Sequence, residues 1–163
     1  MDIKQISVRV EEFTSLKELN NSDRELLEQA TQASETSYSP YSAFRVGSAV
    51  RLTNGIVISG NNQENAAYPS GICAERVALF YAQAQFPDVS VDAIAIFARS
   101  NEFKLDKPVT PCGACRQVMA EYENRHGRKM RVIMGNEDGQ IQILEGMENL
   151  LPLMFMLEKL KKR

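Results

Sequence analysis

Cys73, Glu75, Cys112 and Cys115 are the residues of this chain whose types and spacing could do chemistry. Cysteine occurs three times, an odd number, and two of the three stand as Cys112-Gly-Ala-Cys115. An odd set with a C-x-x-C pair fits a disulfide framework badly and a metal or redox site better. With a single histidine, His126, any transition-metal site must be thiolate-rich, which favours zinc over copper(II) or nickel. Structural zinc needs a fourth protein ligand, whereas catalytic zinc keeps a position for water. His126 follows Cys115 by 11 residues, a rise of roughly 16 Å if the helix runs on. It is therefore read as a surface residue of the polar stretch from Asn124 to Lys129, and the fourth position as open.

Cys73 and the Cys112/Cys115 pair, Cys73 and Cys112 being 39 positions apart, each fall where a helix is expected to begin. A helix N-terminus carries roughly half a positive charge, which lowers a thiol pKa and prepares sulfur as a metal ligand. Three thiolates on a divalent zinc ion leave a formal charge of −1, which opposes acidifying water at the metal. The two dipoles offset it, as does Arg76, placed three residues after Cys73 to donate hydrogen bonds to ligand sulfur. Arg116, beside Cys115, is a lesser candidate. Glu75 is two positions beyond Cys73, about 200° around a regular helix. First-turn side chains lean toward the N-terminus, so both can reach the space ahead of the helix. A carboxylate there can take a proton from water and return it to a substrate; taken alone, it reads as a first-turn acid that complements the dipole.

The elements that must position these groups follow from periodicity and punctuation. Within an N-terminal extension, residues 1–21, Ile6, Val8 and Val10 alternate with polar residues as a short strand does. Ser22 and Glu25 form a capping box before a first helix whose face is Leu26, Leu27, Ala30 and Ala33. FRVGSAVRL and IVISG flank Asn54-Gly55, the pattern of a hairpin. A polar, turn-rich stretch then leads into CAERVALFYAQAQF, where Val77, Ala78, Phe80, Tyr81 and Ala84 suit a helix buried on one side. VDAIAIFARS has the unbroken apolar character of a central strand, and Pro111 precedes a helix opened by the C-x-x-C pair. MRVIMG and QIQILE add two strands, and one or two short helices through Leu150 to Lys162 close the chain. Strands alternating with helices predict an α/β fold, three layers with a mixed sheet of about five strands.

C-A-E from Cys73 to Glu75, followed at distance by P-C-x-x-C from Pro111 to Cys115, resembles the signature of the cytidine deaminases. The resemblance implies one zinc per chain on Cys73, Cys112 and Cys115, with Glu75 as the proton shuttle. Cysteine at the first ligand position is typical of the small enzymes that act on free nucleosides, whereas polynucleotide and deoxycytidylate enzymes use histidine there. NQENAAY, Asn62 to Tyr68, is similar to the family's N-x-E-N-A-x-Y run, which implies that Asn62 and Glu64 hold a ribose hydroxyl. An amide and a carboxylate can together donate to and accept from a hydroxyl. Phe44 resembles the phenylalanine that packs against the pyrimidine, with Arg45 where a proline is usual, and Ala74 matches a position whose backbone contacts the base. Leu150-Leu151-Pro152-x-x-Phe155 resembles a C-terminal segment that delivers an aromatic residue to a neighbouring subunit's site, which implies a homotetramer. The activity implied is hydrolytic deamination of cytidine and 2′-deoxycytidine to uridine and 2′-deoxyuridine with release of ammonia, a step of pyrimidine salvage.

Composition bounds these expectations. A length of 163 residues suits one domain over 1–163, and 44% hydrophobic with 25% charged residues is ordinary globular usage. The net charge of −2 disfavours a polyanion partner, so no nucleic acid is expected. No stretch approaches the ~18 apolar residues of a membrane span, and MDIKQISVRVEEF lacks a signal-peptide core, so a cytoplasmic protein with no membrane partner is expected. Lys159, Lys161, Lys162 and Arg163 read as a solvated helix end. Three competitors remain: a deaminase of another aminopyrimidine nucleoside such as an antibiotic, a structural zinc module, and a dithiol redox protein using Cys112 and Cys115.

Overall fold

The run Val91–Ser100, apolar at nearly every position, becomes the deepest strand of the protein. In this computed structural model, which describes residues 1–156, the elements are β1 (Glu11–Phe13), α1 (Asn21–Ser34), β2 (Phe44–Leu52), β3 (Val57–Asn61), α2 (Ala74–Gln85), β4 (Val91–Ser100), α3 (Gly113–His126), β5 (Arg131–Gly135) and β6 (Ile141–Glu145). Six strands form one sheet in the order β1-β6-β5-β4-β2-β3. Among these six strands only β4 and β5 pair in parallel, and α3 makes the crossover that a parallel pair requires.

Period-two alternation along β4 sends successive side chains to two separate cores. Ile94, Ile96 and Ala98 face α2 and α3, with Leu79, Met119 and Met134. Ala93, Ala95 and Phe97 face α1, with Leu26, Leu27 and Ile133. The result is the expected three-layer α/β/α arrangement. Small residues on the α1 side let that helix come close: a Cβ added at Gly47 would fall 1.9 Å from the Ala30 carbonyl oxygen. Asp23, buried in the first turn of α1, pins the helix to the sheet through Arg51 at 3.4 Å and Arg131 at 2.9 Å.

Four expectations are corrected. The sheet has six strands, not about five, because Glu11–Phe13 pairs antiparallel with Ile141–Ile143 at the edge; residues 6–10, where the alternation lies, form no strand and are exposed. The cap of α1 is Asn20, whose Oδ1 accepts from the Asp23 N–H at 2.9 Å, and Ser22 lies inside the helix. On α2 the buried face is Ala74, Glu75, Ala78, Leu79, Ala82 and Gln83, while Phe80 and Tyr81 are exposed. Alanines on that face allow α2 to lie close on β2 and β3, which leaves the aromatic rings outside. Of the short helices expected over Leu150 to Lys162, none forms over 150–156, which follows a 3-10 turn at Met147–Asn149 as irregular chain; the rest of that expectation, and the terminal basic cluster, lie outside the described residues. No helix among the described residues is long and apolar enough to cross a membrane.

Candidate active site

Cys73 and Cys112 are the N-cap residues of α2 and α3. Both have extended backbone, with ψ of 152° and 165°, and neither side chain makes a capping bond to the amides of its helix, so the thiols are free to point forward. Cys115 is one turn into α3 and fully buried. Its sulfur stands 3.5 Å from Cys112 Sγ, and Cys73 Sγ stands 3.9 Å from Cys112 Sγ. All three sulfurs lie within 4.8 Å of one another. Two thiolates on one tetrahedral zinc, with Zn–S near 2.3 Å, stand about 3.8 Å apart. The cluster therefore fits zinc in donor type and spacing, whereas a disulfide needs sulfurs at about 2.05 Å.

The surroundings favour thiolate. Cys73 is held down at about 5, first by the hydrogen bond from the Cys115 thiol and then by Arg76, whose Nη2 donates to Cys73 Sγ at 3.5 Å. Cys115 is pushed up by the same bond and by burial, so the two sulfurs share a proton that a metal ion would displace. Arg116 does not approach the sulfurs. Its guanidinium bonds the Pro111 and Leu150 carbonyls and Thr110 Oγ1, tying the C-terminal segment to the start of α3. That role is invisible in sequence because its partners are backbone carbonyls. His126 is likewise remote from the cluster, in the last turn of α3 against Gln83 at 2.8 Å.

Glu75 is 5% exposed, which decides its chemistry. Burial raises its carboxyl above the ordinary range, and the neighbouring Cys73 charge raises it further. A carboxyl that is easier to protonate in a dry site is suited to passing a proton in both directions.

Cys73, Glu75 and Cys112 line a cavity of about 520 Å³, room for a nucleoside-sized ligand. Phe44, Asn62, Glu64, Ala74 and Arg76 all line it, with Ile96, Val109 and Thr110 as further wall. Phe103 stacks against Phe44 with ring centroids 6.2 Å apart. Phe155 is 65% exposed and lies outside its own chain's cavity. The Asn62 side chain bonds the edge of β2, accepting from the Val46 N–H at 2.8 Å and donating to the Phe44 carbonyl at 2.9 Å. Glu64 accepts from the amides of Tyr41 and Ser42, at 2.9 and 3.3 Å, and from the Ser42 hydroxyl. Sequence reasoning missed Ser42, whose place in Ser-Pro-Tyr-Ser reads only as a turn. Gln63 and Ile72 exchange backbone bonds at 3.0 and 2.9 Å, so the Asn62–Glu64 segment is laced to the residue that precedes Cys73.

A three-thiol cluster at two helix N-termini, with a buried carboxyl beside it under a nucleoside-sized cavity, defines a thiolate-zinc hydrolase on a three-layer α/β/α scaffold. A family profile, cytidine and deoxycytidylate deaminase zinc-binding region, matches residues 20–129. The cytidine deaminase of Halalkalibacterium halodurans is 45% identical over 137 residues, 83% of this chain and 96% of that protein. That of Sporosarcina psychrophila is 40% identical over 117 residues, 72% of this chain and 79% of that protein. The crystal structure of the Burkholderia pseudomallei cytidine deaminase superposes with a TM-score of 0.70 at 38% identity, covering 80% of this chain and 97% of that one. This chain belongs to the cytidine deaminase family of zinc-binding hydrolases.

Proposed function

We propose that this chain deaminates free cytidine and 2′-deoxycytidine, giving the uracil nucleosides and ammonia, as a single catalytic domain over 1–163 with residues 1–21 as an N-terminal extension. The observation that carries this reading is the buried Glu75 carboxyl beside the Cys73, Cys112 and Cys115 thiols, at the floor of a cavity walled by Phe44. Those thiols would hold one zinc ion, which supplies a Lewis acid that makes water acidic near neutral pH. Glu75 takes a proton from the attacking water and delivers it to ring N3 as oxygen adds to C4. It then carries the remaining hydroxyl proton to the amine, the C4–N4 bond breaks, ammonia leaves and the ring becomes uracil. Arg76 holds the Cys73 sulfur by its hydrogen bond, and Phe44 gives the flat ring an apolar wall. Ala74, fully buried, can present only backbone to the base.

Glu64 and Asn62 would take the sugar. The net charge of −2 and the absence of a basic groove in this cavity's lining support free nucleosides over polynucleotides. A homotetramer would give the exposed Phe155 a neighbour's site to complete. A role in pyrimidine salvage in the cytoplasm follows from that substrate class. Ultraviolet absorbance of cytidine and of 2′-deoxycytidine incubated with purified protein, with ammonia measured alongside, tests the reading. Conversion of both supports it; a zinc-loaded protein that converts neither overturns it and moves the antibiotic-nucleoside reading ahead.

A further inference from the structure

The loop at the mouth of the cavity is held by one hydroxyl. Ser42 Oγ has a single proton to give, and its neighbours decide where it goes. Glu64 Oε1 is in hydrogen-bond contact with it and, as a carboxylate, can only accept, while the Phe44 N–H donates into the same oxygen at 3.1 Å. Ser42 therefore donates to Glu64 and accepts from Phe44. Residues twenty positions apart in sequence, one at the sugar end of the cavity and one on its base wall, share a single atom.

The backbone between Ser42 and Phe44 is under strain that this atom helps to hold. Ala43 has φ of 51°, the left-handed region that a residue with a Cβ rarely adopts, and it is the only such non-glycine residue among those described. Outliers of this kind persist where surrounding contacts over-determine them, and they cluster at ligand sites. The contacts here are the Ser42 bonds on one side and, on the other, the Asn62 amide gripping the Phe44 carbonyl and the Val46 N–H.

Counting capacity shows what remains for a ligand. A carboxylate offers about four acceptor positions, and Glu64 has three filled, by Tyr41 N, Ser42 N and Ser42 Oγ. Asn62 has spent one amide proton, leaving the other. One acceptor and one donor are left, which is the complement of a hydroxyl. The Ser42 bond is also the first cause of the lowered Glu64 pKa, in keeping with a carboxylate that only accepts.

We propose that Ser42 is a positioning residue, whose hydroxyl sets the Glu64 carboxylate and the Phe44 wall together so that sugar recognition and base stacking are organised as one unit. This rests on the reading of Glu64 as the sugar-binding acid. Ser42 is exposed and belongs to neither core cluster, so its replacement leaves the packing intact. The experiment compares wild type, Ser42→Ala and Ser42→Thr on cytidine and on 2′,3′-dideoxycytidine, with uridine affinity measured by calorimetry and with zinc content and melting temperature recorded. Loss of a hydrogen bond to a charged group predicts that Ser42→Ala raises KM for cytidine and weakens uridine binding about tenfold or more. The fall in kcat should be smaller than the rise in KM, Ser42→Thr should restore both, and the Ser42→Ala penalty should shrink on the dideoxy substrate, which keeps its 5′-hydroxyl but lacks the 2′ and 3′ ring hydroxyls proposed for Glu64. Ser42→Gly removes the same hydroxyl and stands in if the alanine variant does not fold. Unchanged uridine affinity, or a threonine variant as impaired as the alanine one, overturns the proposal. If wild type treats cytidine and its dideoxy analogue alike, the sugar role of Glu64 falls and takes this proposal with it; if wild type discriminates and Ser42→Ala discriminates equally, only the role of Ser42 falls.

Discussion

Replacing Glu75 by glutamine tests the mechanism most directly, because the change keeps shape and hydrogen-bonding length while removing the ability to carry a proton. Losing one positioned general acid-base group costs about 10²- to 10⁴-fold in rate, or roughly 3 to 5 kcal/mol of barrier. The structure places this variant in the upper part of that range, because no other group can stand in. The side chain is 5% exposed, so little solvent is in place to substitute for it. Glu64, the other carboxylate of the cavity lining, is held by three donors at the mouth. His126 is at the far end of α3, thirteen residues beyond Gly113, which is roughly 20 Å of helix rise. Glu75→Gln should therefore reduce kcat on cytidine by about three decades or more while one equivalent of zinc remains bound. The assay is absorbance loss at saturating cytidine, beside metal analysis of the same preparation. A loss of less than tenfold would refute the role of Glu75 as proton carrier, and loss of the metal together with activity would make it a ligand instead.

Cys115→Ser should bring zinc content well below one equivalent, since the serine hydroxyl is a poor replacement for a fully buried thiolate; full zinc occupancy in this variant would contradict the three-thiol site. Gly47→Ala forces a Cβ to within 1.9 Å of the Ala30 carbonyl oxygen and 2.5 Å of the Ser34 amide nitrogen, both backbone of α1. Separating helix from sheet should lower the melting temperature by about 6 °C or more, and a shift under about 2 °C would mean that the helix yields freely. His126 has a folded-state pKa lowered by burial and by Arg125, so its unfolded form takes up the proton first. Its contribution is therefore present above about 6.5 and is lost as pH falls through the folded value. Melting curves from pH 7.5 to 5 should fall more steeply for wild type than for His126→Gln; parallel slopes would remove His126 as a source of the acid sensitivity.

Much of this molecule was written locally. Two helices starting at cysteine, the Asn54-Gly55 hairpin and the buried strand Val91–Ser100 are visible in sequence because each rests on neighbours a few residues away: a capping position, a turn-forming pair, an unbroken apolar run. The cysteine count and the single histidine by themselves restrict a metal site to thiolate. Local pattern gives out where partners are distant in the chain. The three-residue edge strand Glu11–Phe13 is too short for a pattern to mark, and it exists because β6 offers an open edge. Phe80 and Tyr81 look like core until the alanines of α2 are seen to lie on β2 and β3. The bonds that Asn62, Ser42 and Arg116 make to backbone groups depend on no partner side chain and so leave no trace in sequence. Residue types determine what the site can do chemically; the closing of Cys73 onto Cys112 and of Ser42 onto Glu64 is decided by the tertiary structure, because only packing of the sheet between its helices brings those positions within bonding distance.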